Sequence, residues 1–306
     1  MSEILLSCPV CDRPDFEQLY VTKDRHYGIS GNYRVVRCLA CKLVFLNPMY
    51  SDEELAGLYP NDYYAYQDFS QLPPWKMFMN RILGFSAGTK DPHFESPGIV
   101  LDLGCGSGRF LESMRRRGWT AHGVEINKAA AMLGRNAKGL EIFCGTLQEA
   151  NFPPDFFDYV RSNHSFEHIS RPNETLDVIH KILKAQGKVH IGVPNVDSIN
   201  ARVFKRYWWY LGAPVHPFNY SVSTLSRILA KHNFRVETIR FNSDFFGILG
   251  SLQIWLNRKN AKKSTEGVLV NNRLLRIICQ WLTNLMDFLR WGDEIEITAV
   301  KESQST

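Results

Sequence analysis

Four cysteines stand in two pairs of identical spacing, Cys8-Pro9-Val10-Cys11 and Cys38-Leu39-Ala40-Cys41. Four thiolates paired in this way make a closed tetrahedral shell for zinc with no position left for water, a structural rather than a catalytic site. A second pattern is Gly104-Cys105-Gly106-Ser107-Gly108, where an apolar run ends and a helical pattern begins. Glycines at such a bend let the backbone pass close to a ligand and expose the amides of the helix that follows. A third is Glu125, 21 residues beyond Gly104 at the end of the next apolar run. At that separation an acid accepts hydrogen bonds from a ribose held over the glycines, so the pair implies an adenosine-type cofactor.

The residues discriminate among nucleotide readings. The loop lacks the Gly-Lys-Ser/Thr of a phosphate-gripping P-loop, and it reads Gly-x-Gly-x-Gly where dinucleotide binders favour Gly-x-Gly-x-x-Gly. Asp102, two positions before Gly104, is expected to face the cleft, where it would repel a pyrophosphate and attract an ammonium.

These groups need elements to hold them. From residue 99 onward apolar strands (99–103, 121–126, 140–144, 159–163, 189–194) alternate with helical patterns (109–117, 128–137, 173–185), which predicts an α/β fold with a parallel sheet covered on both faces. A helix over 223–232, a strand over 235–241 and a last strand over 294–301 complete it. Ahead of this unit, residues 1–50 read as a zinc ribbon, a hairpin that returns the second cysteine pair to the first. Residues 51–95 read as an aromatic-rich helical connector that opens with a Ser51/Glu54 capping box. The unit itself spans 96–243 and 291–302, interrupted by a helical insertion at 244–290. Within the insertion, 272–290 is amphipathic, apolar at Leu274, Ile278, Trp281, Leu285 and Phe288 and polar at Arg273, Arg276, Gln280, Asn284 and Asp287. That apolar face is expected to pack on the domain or a partner chain, or else to lie on a membrane and serve a lipid-linked acceptor.

In these motifs the chain resembles the class I S-adenosylmethionine-dependent methyltransferases, whose first motif has the form Leu101-Asp102-Leu103-Gly104-Cys105-Gly106-Ser107-Gly108. Gly145-Thr146-Leu147 after the third strand, Phe157-Asp158-Tyr159-Val160 opening the fourth, and the loop Asn163-His164-Ser165-Phe166-Glu167-His168-Ile169 are in register with later motifs. The resemblance implies a Rossmann-like fold with a mostly parallel seven-stranded sheet and S-adenosylmethionine as cofactor. It also implies a cofactor site of Asp102, Gly104, Cys105, Gly106, Gly108, Glu125, Ile126, Thr146, Leu147 and His164. Glu125 would hold the ribose hydroxyls, and Thr146 and Leu147 would flank adenine, although many relatives carry an acid where Thr146 stands. The run Leu43-Val44-Phe45-Leu46-Asn47-Pro48 after the ribbon is similar to relatives in which a zinc ribbon precedes the catalytic domain.

Methyl transfer is an in-line displacement at a sulfonium carbon, and a hydroxyl acceptor must also lose a proton. Histidine suits that step, and His168 and His216 are the candidate bases. The segment 201–218 places four consecutive aromatics, Tyr207 to Tyr210, beside Arg202, Lys205 and Arg206, as if to stack a sugar or base and meet an anion. It resembles segments in methyltransferases of bacterial surface-polysaccharide pathways. The implied acceptor is a small molecule or glycan (a saccharide, nucleotide sugar or lipid-linked sugar), methylated at a hydroxyl.

Charge and composition narrow the alternatives. Residues 96–240 carry nineteen cations against twelve acids, whereas 1–95 carry nine against twelve, so the overall +5 sits on the catalytic unit. The ribbon, 8–41, has five cations and four acids, and zinc with four thiolates brings it to −1, which argues against a nucleic-acid surface. An RNA methyltransferase using its ribbon for recognition and an inactive cofactor-binding interaction module are the alternatives. With 44% hydrophobic and 12% aromatic residues the chain is globular. The start at Met1 lacks the basic region and long apolar core of a secretory signal, no apolar run approaches the roughly 20 residues of a membrane span, and an odd count of seven cysteines fits a reducing compartment. The expected location is the cytoplasm, with peripheral membrane contact through 244–290.

Overall fold

The computed structural model of the chain describes residues 4–51, 54–55, 91–259 and 267–302. The capping box at Ser51 is formed, each of Ser51 and Glu54 bonding the other's amide. The rest of the expected connector, 56–90, and residues 260–266 of the insertion lie outside the described residues.

Strands β1 (Phe16–Thr22), β2 (Tyr33–Cys38) and β3 (Val44–Leu46) form an antiparallel meander that carries the cysteine pairs at its ends. The α/β unit then runs β4 (Ile99–Leu103), α1 (Arg109–Arg116), β5 (Thr120–Glu125), α2 (Lys128–Lys138), β6 (Glu141–Cys144), α3 (Leu147–Ala150), β7 (Phe157–Asn163), α4 (Pro172–Ile182) and β8 (Leu183–Pro194). It continues through α5 (Ile199–Phe204), β9 (Phe218–Asn219), α6 (Val222–Lys231), β10 (Phe234–Phe241), α7 (Phe246–Leu256), α8 (Val268–Asn271), α9 (Arg273–Phe288) and β11 (Glu294–Lys301). Seven strands make one sheet in the order β10-β11-β8-β7-β4-β5-β6, in which only β11 runs against the rest. Strand β4 is buried almost throughout, as a central parallel strand covered on both faces must be.

Local chemistry sets several boundaries. Asn127 caps α2 by accepting from the Ala130 amide, and Gly139 ends it in a left-handed conformation. The helix expected over 173–185 stops at Ile182, because Leu183 is fully buried and pairs with Phe157 as the first residue of β8. The intervening residues bulge before regular pairing resumes at Lys188, with Gln186 at φ 62°.

The ribbon and the seven-stranded sheet share one apolar core. β9, from the α/β unit, adds to the meander by pairing with β3 at Val44 and Phe45. Cys8, Val10, Phe45 and Met49 belong to the same buried cluster as Phe166, Tyr220, Leu225 and Ile228. Lys231 at the end of α6 bonds the Pro9 carbonyl and the Asp12 carboxylate, and Asn173 also donates to Pro9.

Helix α9 sits the opposite way round from a helix docked through its apolar stripe. Gln280 and Thr283 are buried; Gln280 accepts from the Phe245 amide and donates to the Ser243 carbonyl, while Asp287 accepts from the amide and hydroxyl of Ser243. The expected apolar residues, Leu274, Ile278, Trp281, Leu285 and Phe288, are exposed. The expected packing of that face on the domain is therefore not what the described residues show, since polar side chains dock the helix instead.

Asp293, just before β11, ties the segment after β8 to the last strand. Its buried carboxylate accepts from Ser198 Oγ at 2.7 Å, Asn200 Nδ2 at 2.6 Å and Trp208 Nε1 at 2.7 Å. Replacement Asp293→Ala leaves three buried donors without an acceptor, at about 1–3 kcal/mol each before relaxation. Urea unfolding is expected to show a loss of about 3 kcal/mol or more, and an unchanged unfolding midpoint would contradict this role.

Candidate functional site

The glycine loop leaves β4 where the strand order reverses, with β5 on one side and β7 on the other, the position at which open α/β sheets bind ligands. Gly104, Gly106 and Gly108 adopt φ of 75°, 53° and 80°. At Gly104 a Cβ would lie 2.4 Å from Ser165 Cβ, so the loop after β7 closes directly on the glycine turn. Ser165 Oγ donates to the Leu103 carbonyl at 2.6 Å and holds that contact.

Glu125 ends β5 beside this turn. Its Oε2 accepts from the Gly106 amide and its Oε1 from the Asn127 amide, both at 2.8 Å. Burial pushes its carboxyl up against the pull of these amides. A carboxylate has about four acceptor sites, so two remain for the paired hydroxyls of a ribose. Ile126 is exposed next to it, as a residue that contacts a ligand can be.

Other expected cofactor residues are placed differently. Asp102 is buried and its Oδ1 accepts from Arg161 Nη1 at 2.8 Å, with the guanidinium lying 4.2 Å from the centre of the Phe110 ring. A protein cation, supplied by the register-paired residue of β7, already faces the carboxylate expected to attract a ligand ammonium. The Cys105 thiol is buried, and burial, reinforced by Asp102 and Glu125, raises its pKa well above the usual thiol range. Thr146 caps α3 through reciprocal bonds with Glu149. Leu147 points into the main core, which leaves its backbone rather than its side chain for an adenine.

The loop after β7 brings the histidines together around an acid. Phe166–His168 forms a single 3₁₀ turn. Glu167 is fully buried, with Oε1 3.7 Å from His164 Nδ1 and 4.0 Å from His168 Nε2. Its Oε2 has no hydrogen-bond partner among the described residues. His164 adopts φ 52°, and its Nε2 lies 3.0 Å from Glu294 Oε2 at the start of β11. Burial lowers the pKa of His164, but Glu294 and Glu167 outweigh burial and hold it well above the ordinary value. Burial lowers His168 and takes His216 to about 3, with His168 reinforcing the second shift. The rings of His168 and His216 meet edge to face at 4.6 Å. Their Nδ1 atoms lie 2.7 Å from the Val215 carbonyl and 2.9 Å from the Tyr210 carbonyl. Donation there puts both protons on Nδ1 and the lone pairs on Nε2. One acceptor atom each from Glu167, His168 and His216 converges within 4.8 Å.

The aromatic run is largely internal. Trp208 bonds Asp293, Trp209 stacks on Phe246 at 4.8 Å, and Tyr210 donates to Asp244 at 2.6 Å. The expected stacking platform is thereby reduced to Tyr207. Tyr207, Lys205, Arg206, Val203, Leu252 and Trp255 line a groove of about 450 Å³, and Arg202, Lys205 and Arg206 are exposed. The ribbon buttresses this segment: His26 Nε2 lies 2.8 Å from the Trp209 carbonyl and Arg25 lies over Tyr207. The thiols of Cys8, Cys11, Cys38 and Cys41 converge within 4.8 Å, with Cys8 to Cys41 and Cys11 to Cys38 each at 3.5 Å. Four buried or half-buried sulfurs at that spacing fit one tetrahedral ion.

A family model described as a methyltransferase domain matches residues 76–239, just over half of the chain. The chain belongs to this methyltransferase domain family. Its strand order is that of the class I S-adenosylmethionine-dependent fold. Among relatives, the ubiquinone biosynthesis O-methyltransferase of Aeromonas salmonicida (strain A449) is 31% identical over 102 residues, which cover 31% of this chain and 43% of that protein. The match thus spans less than half the length of that relative. An uncharacterised protein of Methanocaldococcus jannaschii is 25% identical over 108 residues, 35% of this chain and 50% of its own. Among solved structures, a complex between the Haloferax volcanii Trm112 methyltransferase activator and a candidate methyltransferase superposes with TM-score 0.51 at 17% identity, covering 70% of this chain and 86% of that one. A S-adenosylmethionine-dependent methyltransferase from Archaeoglobus fulgidus gives 0.48 at 23% identity, with coverage of 74% and 93%.

In this methyltransferase domain, sequence reasoning missed Arg161, Glu167, Asp293 and Glu294 as site residues. Only Glu167 carried a signal, since it stands beside His168 in the recognised loop. Burial raises the Glu167 pKa, but the three histidines, His164 first, outweigh burial and bring it to about 2. A depressed acid contributes stability above its unfolded value of 4.5 and loses it as pH falls toward the folded value. The wild type is therefore expected to lose on the order of 3 kcal/mol between these limits that a Glu167→Gln variant does not lose. Urea unfolding across acidic pH checks this, and parallel pH curves for the two proteins would contradict it.

Proposed function

We propose that the chain is an S-adenosylmethionine-dependent methyltransferase that methylates a hydroxyl of a small, anionic, glycan-type acceptor. The observation that carries this reading is Glu125, held by the Gly106 amide of the glycine turn and the Asn127 amide that follows β5, with acceptor sites left for a ribose. The cofactor supplies a methyl group on a positively charged sulfur. The chain's residues must bind it, align the acceptor oxygen with the carbon–sulfur bond, and take the proton.

His168 and His216 suit the last task. The attacking oxygen becomes strongly acidic as its bond to carbon forms, so even a weak base accepts its proton. An Nε2 lone pair would take the proton from the acceptor oxygen as that oxygen receives the methyl group, and buried Glu167 would stabilise the resulting imidazolium. His164, which faces Glu167, favours its ionised form. Oxygen is favoured over carbon by this convergence of proton acceptors and is consistent with the O-methyltransferase names of the relatives. The exposed Lys205 and Arg206 beside Tyr207 support an anionic acceptor.

Cys8, Cys11, Cys38 and Cys41 would hold zinc as a structural ion. Because the ribbon touches the 205–209 segment, metal loss is expected to raise the acceptor KM while leaving S-adenosylmethionine affinity within about twofold, given that local order is lost before the cofactor end of the sheet. Elemental analysis should find one zinc per chain, and a metal-free preparation with an intact ribbon and unchanged acceptor KM would refute the assignment.

The activity test is transfer of labelled methyl to phosphorylated saccharides, nucleotide sugars and RNA in parallel. Label is expected in the saccharide class, with His216→Gln lowering kcat on the order of a hundredfold while cofactor binding persists. Label in RNA alone would favour the ribbon as an RNA reader, and cofactor binding without any transfer would favour a binding module.

A further inference from the structure

The orientation of α9 poses a physical problem. A solvent-facing helix turns its apolar stripe inward, since burying such surface is the dominant favourable term in folding. Here the buried side is Cys279, Gln280 and Thr283, whereas Leu274, Ile278, Trp281, Leu285 and Phe288 are 65%, 47%, 59%, 54% and 82% exposed. Trp291, just beyond the helix, is 52% exposed. The polar side is docked with specificity through Gln280 and Asp287, so the helix is not a loosely placed amphipath that could simply roll over. An apolar face held outward by internal hydrogen bonds is built to meet something.

The charge around it selects the partner. Among the described residues from 255 to 291 there are five cations, Arg258, Lys259, Arg273, Arg276 and Arg290, and one acid, Asp287. Asp287 is turned inward to Ser243, while Arg258, Lys259, Arg273 and Arg290 are exposed. A second copy of this chain meeting the face across a two-fold axis would bring like charges together, because such an interface uses the same patch twice. An anionic lipid surface complements both features, with the apolar side chains and tryptophans in the interface and the cations among the headgroups. At 16 residues the helix is about 24 Å long, too short to cross a bilayer, and among the described residues no helix is long and apolar enough to do so.

We propose that α9 seats this protein on anionic membranes through its outward apolar face. Trp255 is exposed on α7 and also walls the groove with Lys205 and Arg206. Resting on the proposed function, this extends the acceptor class to anionic amphiphiles such as lipid-linked sugars.

The test is co-sedimentation of the full chain with vesicles of phosphatidylcholine alone or containing phosphatidylglycerol, without cofactor or acceptor, so that it succeeds or fails independently of methyl transfer. The expected result is binding to the anionic vesicles only, weakened by about tenfold or more in a Trp281→Asp/Phe288→Asp variant. Both positions are exposed, and an unchanged thermal melt verifies the fold of the variant; an Arg273→Glu variant should weaken binding without touching the apolar face. No binding by the wild type, or equal binding by the variants, would overturn the proposal. So would a wild-type dimer, dissociated by Trp281→Asp/Phe288→Asp and blind to vesicles, since the face would then belong to a second copy.

Discussion

A carboxylate removed from water must be surrounded by fixed donors or cations, at a cost of several kcal/mol if it is not. Among the described residues six carboxylates are buried at or near the carboxyl edge of the sheet: Asp102, Glu125, Glu167, Asp293, Glu294 and Glu296. Their partners are the parts of the site. Two loop amides answer Glu125, Arg161 answers Asp102, and His164 bridges Glu167 and Glu294. Ser198, Asn200 and Trp208 answer Asp293 and so fix the segment that borders the groove. Satisfying the acids and arranging the site are the same physical problem, which explains why loops after three different strands and the start of a fourth meet at one point.

The ribbon enters through the same logic of shared structure. It does not hang from the catalytic unit on a linker: β9 completes its sheet, its cysteines lie in the common core, and His26 contacts the Trp209 carbonyl. Order at the cysteines is therefore transmitted by direct contact to the segment that carries Lys205 and Arg206. A closed thiolate shell suits such a role because it stiffens without reacting.

What was legible in the sequence was local. The glycine loop, Glu125 and the cysteine pairs are chemical patterns of fixed spacing, and the parallel sheet follows from alternation, because parallel strands require crossovers. Partners distant in the chain were not legible. Asp102 meets Arg161 only through the β4–β7 register, the aromatics at 208–210 are claimed by Asp293, Phe246 and Asp244, and β8 extends back to Leu183 because Phe157 is there to pair with it. Helical periodicity at 272–290 correctly separated two faces but could not say which one turns inward. That depends on Ser243 and Phe245, whose backbone groups demand the polar side.

The central claim is that Glu125, poised by the glycine turn, binds the ribose of S-adenosylmethionine. Calorimetric titration of the full chain with S-adenosylmethionine, wild type against Glu125→Ala, addresses it without any knowledge of the acceptor. Saturable one-to-one binding by the wild type, weakened about tenfold or more by loss of hydrogen bonds to a charged group, is the predicted result. Equal affinity in a variant that retains its fold, or no binding by the folded wild type, would contradict it.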